Sequence, residues 1–200
     1  MVRILSRHYG RIAWWPGDTD EVLIGAILTQ QTRWENVEQA LRILKERTMC
    51  TVAAIHEAEP GTIEDAIRCT GFYRVKTKRL KEVAHYIIEQ YGGVQNMKDR
   101  PTPELRSGLL GVNGIGAETA DSILCYGFNR ASFVIDAYTN RICSCRGIVM
   151  KGPDLKDLFE HILPNDIMAY RQTHAHIVEF AKEFCGKKRC NECILKNSVE

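Results

Sequence analysis

The chain has 200 residues, 44% of them hydrophobic, with eight cysteines and a formal net charge of +2. This is enough for one or two small domains with a real core, and too little charge for nucleic-acid affinity to come from anything but clustered basic residues. No apolar run reaches membrane length and the charged Met1–Arg11 segment has no signal-peptide core, so an intracellular protein of the cytoplasm or nucleoid is expected, with thiols or metal ligands rather than disulfides.

Residues 12–17, IAWWPG, interrupt a polar N-terminus with Trp14, Trp15 and Pro16. They read either as a hydrophobic strap against the core or as the wall of an aromatic pocket. Asp18 and Glu21 form a capping-box pattern for DEVLIGAILTQQ, with Val22, Leu23, Ala26 and Ile27 inward. Gln30 and Gln31 then make a loop. Thr32 and Glu35 repeat the box for TRWENVEQALRILKER, whose Val37, Ala40, Leu41 and Leu44 share one face. Trp34 falls off that face, next to the glutamines, and could stack on an extruded base. Residues 51–91 predict two or three more helices, one capped by Thr62 and broken at Gly71-Phe72-Tyr73. The basic run Arg74, Lys76, Lys78, Arg79 and Lys81 reads as a solvated face or a phosphate contact. Gly92-Gly93 stops that helix, and Thr102-Pro103-Glu104 starts the next.

The most informative stretch is Leu109–Asp136. In VNGIG, Gly114 and Gly116 flank Ile115 in a tight turn, and AETADSILCYGF continues as a helix with Ala117, Ala120, Ile123, Leu124 and Gly127 at three- and four-residue spacings. The amides of its first turn face the glycine loop, which suits a phosphate. Leu105–Leu110 is no strand and a third glycine is missing, so this is not a dinucleotide fingerprint. Asp136 follows the apolar Phe133, Val134 and Ile135, either capping a helix or working in a poorly hydrated site.

The hairpin, helix, apolar run and aspartate together resemble the helix-hairpin-helix DNA glycosylase superfamily, in its endonuclease III branch, from about Asp20 to Cys193. The resemblance implies that Val112, Asn113, Gly114, Ile115 and Gly116 bind DNA backbone phosphate and that Asp136 is the catalytic acid. It places Gln31 in the gap left by a flipped nucleotide. WWP is similar to the N-terminal aromatics of the endonuclease III-like 3-methyladenine DNA glycosylases. That implies a base pocket of Trp14, Trp15 and Pro16, with Trp34, Glu118 and Lys182 as further candidates. Bifunctional members carry a lysine two residues after the second hairpin glycine, where its amine forms a Schiff base with the sugar. This chain has Glu118 there, so hydrolysis without strand cleavage is expected.

The long helix DIMAYRQTHAHIVEFAKEFC is followed by Cys185, Cys190 and Cys193, spaced C-x4-C-x2-C. This resembles the end of the endonuclease III iron–sulfur loop, C-x6-C-x2-C-x5-C, with a shortened first spacing and Val199 in place of the fourth cysteine. The incomplete set reads as a degenerate, metal-free loop, with a 4Fe-4S cluster on an unusual fourth ligand, or zinc with His174 or His176 folded back, as alternatives. No cofactor is required for the chemistry. Cys143 and Cys145 read as core thiols.

The expectation is an all-α, two-lobed helix-hairpin-helix DNA glycosylase fold: residues 20–130 as a bundle, residues 1–19 plus 131–200 as the second lobe, and the active site in the interlobe cleft. The expected function is monofunctional removal of alkylated purines, foremost 3-methyladenine, from double-stranded damaged DNA by a monomer with no membrane association. A glycosylase for mismatched thymine or oxidised pyrimidines, and a non-catalytic DNA-binding module, are the rivals.

Overall fold

The computed structural model describes residues 1–15 and 17–196, which form helices joined by short loops, with no strand among the described residues. The chain divides into two compact units, residues 17–130 and residues 1–16 with 131–200.

In the first unit α2 (Thr19–Leu28) is the central element, with every residue from Val22 to Leu28 buried. Asp18 caps it by accepting from the Glu21 amide at 2.9 Å, while the Glu21 side chain turns instead to Lys45 at 2.8 Å. Around it stand α3 (Trp34–Glu46), α4 (Val52–Glu57), α5 (Pro60–Ile67), α6 (Tyr73–Tyr91), α7 (Val94–Met97), α8 (Thr102–Leu110) and α9 (Ala117–Ser122), the last continued by a π-helical turn, Ile123–Gly127. Gly127 lies against α2, where an added Cβ would meet Val22 and Thr19 at 3.4 and 3.5 Å and the Thr19 hydroxyl bonds its carbonyl. A larger residue would push the two helices apart.

Three sequence expectations are corrected here. Thr32 does not cap α3, whose N-cap is Arg33; its hydroxyl donates to Thr70 O and accepts from Lys76 Nζ. Thr62 lies inside α5, which starts on Pro60 after Glu59. Lys76 is no part of a solvated basic face. It is 1% exposed, and its ammonium donates to Leu28 O, Thr32 Oγ1 and Thr70 O at 2.6–2.9 Å, closing the carbonyl ends of α2 and of the turn before α6. Helix ends leave unsatisfied carbonyls, and a buried cation is tolerated where it meets several.

In the second unit α1 (Val2–Tyr9), α10 (Ala137–Cys145) and α11 (Gly152–Ile162) accompany α12 (Ile167–Phe180), which continues through a π-helical turn, Ala181–Cys185. The segment after α1 is strapped to α12. Gln172 bonds both the amide and the carbonyl of Ile12, at 2.9 and 2.8 Å, and His176 meets Gly10 O at 2.6 Å.

Candidate active site

The polypeptide entering α10 is extended but joins no sheet, so its backbone groups need other partners. The Glu160 carboxylate accepts from the Phe133 amide at 2.8 Å, and Lys156 Nζ donates to Phe133 O, Ser132 Oγ and Glu160 at 3.0, 2.9 and 2.6 Å. Phe133 stacks on Phe159 with centroids 4.4 Å apart. One face of α11 thus clamps the run that ends in Asp136.

Asp136 is the N-cap of α10. Its Oδ1 accepts from the Thr139 amide at 2.6 Å and from the Thr139 hydroxyl at 2.7 Å. Its Oδ2 faces His174 Nε2 on α12 at 3.5 Å. Burial pushes its pKa up, but His174 and the two Thr139 donors outweigh it and hold the carboxyl below the usual value. A carboxylate that is buried yet ionised can stabilise a neighbouring cation or orient a water.

Trp14 meets the other edge of this arrangement, its ring lying edge-on to His174 at 6.2 Å and 82°. Lys182 Nζ sits 5.4 Å from the Trp14 ring centroid and also pairs with Glu179 at 2.9 Å. Trp15 is partly buried with φ of +42°, a conformation uncommon for a bulky residue. Pro16 lies outside the described residues. Trp14 also lines a cavity of about 360 Å³ with Arg11, Met168, Arg171 and Gln172. Its two guanidinium groups make it a poor receptor for a cationic base, and Asp136 is not among its walls.

The remaining candidates belong to the unit of residues 17–130. The hairpin runs between α8 and α9, with Val112 and Ile115 buried and Asn113 and Gly116 exposed. Gly114 has φ of +85°, and the Arg79 side chain passes so close that a Cβ would meet it at 2.6–2.7 Å. Gln30 secures the loop: its Nε2 donates to Gly114 O at 3.1 Å and Thr119 Oγ1 at 3.0 Å, and its Oε1 accepts from Arg79. Arg106 on α8 grips the buried Asp121 on α9 through two bonds, 2.8 and 3.1 Å. Gln31, by contrast, is exposed with φ of +54°, Trp34 is half-buried at the start of α3, and Glu118 is exposed in the first turn of α9.

A family model described as HhH-GPD superfamily base excision DNA repair protein matches residues 24–164. The chain belongs to this superfamily. A Methanocaldococcus jannaschii protein, provisionally named a DNA repair glycosylase, is 45% identical over 97% of this chain and 91% of its own length. Endonuclease III of Thermotoga maritima is 32% identical over 92% of this chain and 83% of its own. Among solved structures, the H. pylori 3-methyladenine DNA glycosylase bound to 1,N6-ethenoadenine is similar with a TM-score of 0.80 and 29% identity, covering 91% of this chain and 95% of that one. The chain is thus a DNA repair glycosylase of the HhH-GPD family, all-α and endonuclease III-like.

The sequence of this HhH-GPD chain offered His174 only as a zinc ligand and Gln30 only as a loop residue, and did not reveal the Arg106–Asp121 pair, because each of these contacts spans many residues. The cysteines also need correction. Cys145 is exposed, not a core thiol, and with Cys185, Cys190 and Cys193 it lines one cavity, whereas Cys143 is buried. His174 Nε2 faces Asp136 and His176 Nε2 meets Gly10 O.

Proposed function

We propose that the protein is a monofunctional DNA N-glycosylase that removes alkylated purines, 3-methyladenine foremost, from double-stranded DNA by base flipping. The observation that carries this reading is Asp136, a buried carboxylate kept ionised by His174 and Thr139. In the reaction Asp136 stabilises the oxocarbenium-like sugar and orients or deprotonates the attacking water. N3-alkylation makes the ring cationic and a good leaving group, so little acid catalysis is needed. The electron-rich Trp14 ring supports selection of a cationic base, and Lys182, which stands beside that ring, has the Glu179 carboxylate as its partner. The H. pylori protein, named a 3-methyladenine DNA glycosylase, is compatible with that substrate class.

The hairpin would grip backbone phosphate, Gln31 would fill the vacated stack, and Trp34 would contact the extruded base. Glu118 has no amine to form an imine, which supports base release without strand cleavage.

The test is incubation with duplex DNA carrying radiolabelled methyl groups, beside Asp136→Asn, with chromatography of the released bases. Release of 3-methyladenine by the wild type alone, from strands left abasic and unbroken, is expected. Release of mismatched thymine or oxidised pyrimidines instead, or a covalent adduct trapped by borohydride, would overturn the reading.

A further inference from the structure

The three C-terminal cysteines do not stand alone. Cys185 ends the π-helical turn after α12, Cys190 opens a short 3-10 turn, and Cys193 follows it. Cys145 is the last residue of α10, forty positions before Cys185 in sequence, yet it lines the same cavity of about 290 Å³ as the other three. The rest of that wall is largely apolar, with Ile142, Phe180, Phe184 and Leu195.

We propose that Cys145 supplies the fourth thiolate, so that Cys145, Cys185, Cys190 and Cys193 together hold a 4Fe-4S cluster. The helical residue takes the place that Val199, which lies outside the described residues, cannot fill. Four thiolates are the ligand set such a cluster requires. The four cysteines line a cavity of about 290 Å³, more room than one tetrahedral zinc ion with Zn–S of about 2.3 Å fills, so the site suits a polynuclear centre.

Two further features fit an anionic cluster. Arg146, next to Cys145, lines the cavity and donates to Leu195 O, which ties the end of α10 to the cysteine loop. The apolar wall would limit water and oxygen at the cluster.

The full chain is reconstituted anaerobically with ferrous iron and sulfide, and iron and acid-labile sulfide are counted alongside the visible absorption. About four of each per chain are expected in the wild type and in Cys143→Ser, and at most three iron or none in Cys145→Ser. Because Cys145 is exposed, the serine variant should keep the melting curve of the metal-free wild type. Alkylation read by mass spectrometry gives an independent measure: all four cysteines are labelled in the metal-free chain, and all four are protected together on loading. Full cluster content in Cys145→Ser, labelling of Cys145 at the same rate in both states, binding of one zinc only, or no metal uptake by the wild type would each overturn the proposal.

Discussion

Oδ2 of Asp136 lies 3.5 Å from Nε2 of His174, and the two side chains are only 10% and 9% exposed. In the proposed reaction the histidine is a positioning residue, acting through the ionisation of the aspartate. Asp136 has a folded pKa below its ordinary value, so its contribution to stability is present above about pH 4 and lost as pH falls through the folded value. In His174→Gln the largest of the effects that hold the carboxyl down is lost, leaving the Thr139 donors alone against burial. The acid limb of the base-release profile should then move to higher pH. A uniform fall in rate at every pH would mean that His174 is only structural.

Gly114 and Gln30 should matter through the hairpin. Gly114→Ala adds a Cβ at φ of +85° and against the Arg79 side chain, and Gln30→Ala leaves Gly114 O and Thr119 Oγ1 without their shared donor. Each should cost about 1–2 kcal/mol, read by chemical denaturation, and weaken duplex binding in filter assays. Gln31→Ala, at an exposed position, should leave stability unchanged and slow base release. Equal destabilisation by both glutamine variants would remove the distinction.

Lys76 sets a pH signature of stability. Burial first, and Arg79 next, bring its pKa down from 10.5 to about 8, with Cys69 opposing. The unfolded chain therefore binds more protons between those two values, and stability should rise by as much as about 3 kcal/mol across that window. Denaturation of the wild type and Lys76→Met at pH 7 and pH 10 isolates this term. The difference in favour of the wild type should grow with pH; a constant difference would refute it.

Trp14 should discriminate by charge. Its ring already meets the Lys182 ammonium, so Trp14→Leu removes the π-face while keeping apolar bulk. Release of cationic alkylpurines should fall about fivefold to thirtyfold, the equivalent of about 1–2 kcal/mol, with a smaller effect on any neutral base. Parallel loss for both substrate types would point to a lost wall rather than a lost cation site.

The glycine hairpin, the apolar faces of α2 and α3, and Asp136 were legible along the chain, because turns, caps and helix periodicity are set by residues within a few positions of one another. Glu118, at the position where bifunctional members carry lysine, was equally legible, since it needed only a count from Gly116. Other features depended on packing. The basic run around Lys76 looked like surface until its ammonium was found against three oxygens from distant turns. Asp136 has no charged partner within reach in sequence, and its counter-group comes from α12. Cys145 looked like half of a short local pattern until folding carried it to a loop forty residues on. Local chemistry thus specified the helices, the hairpin turn and the placing of Asp136 at a helix start, while the ionisation of Asp136 and the grouping of four thiols waited on tertiary contacts, because burial and proximity are properties of the packed chain and not of any stretch of it.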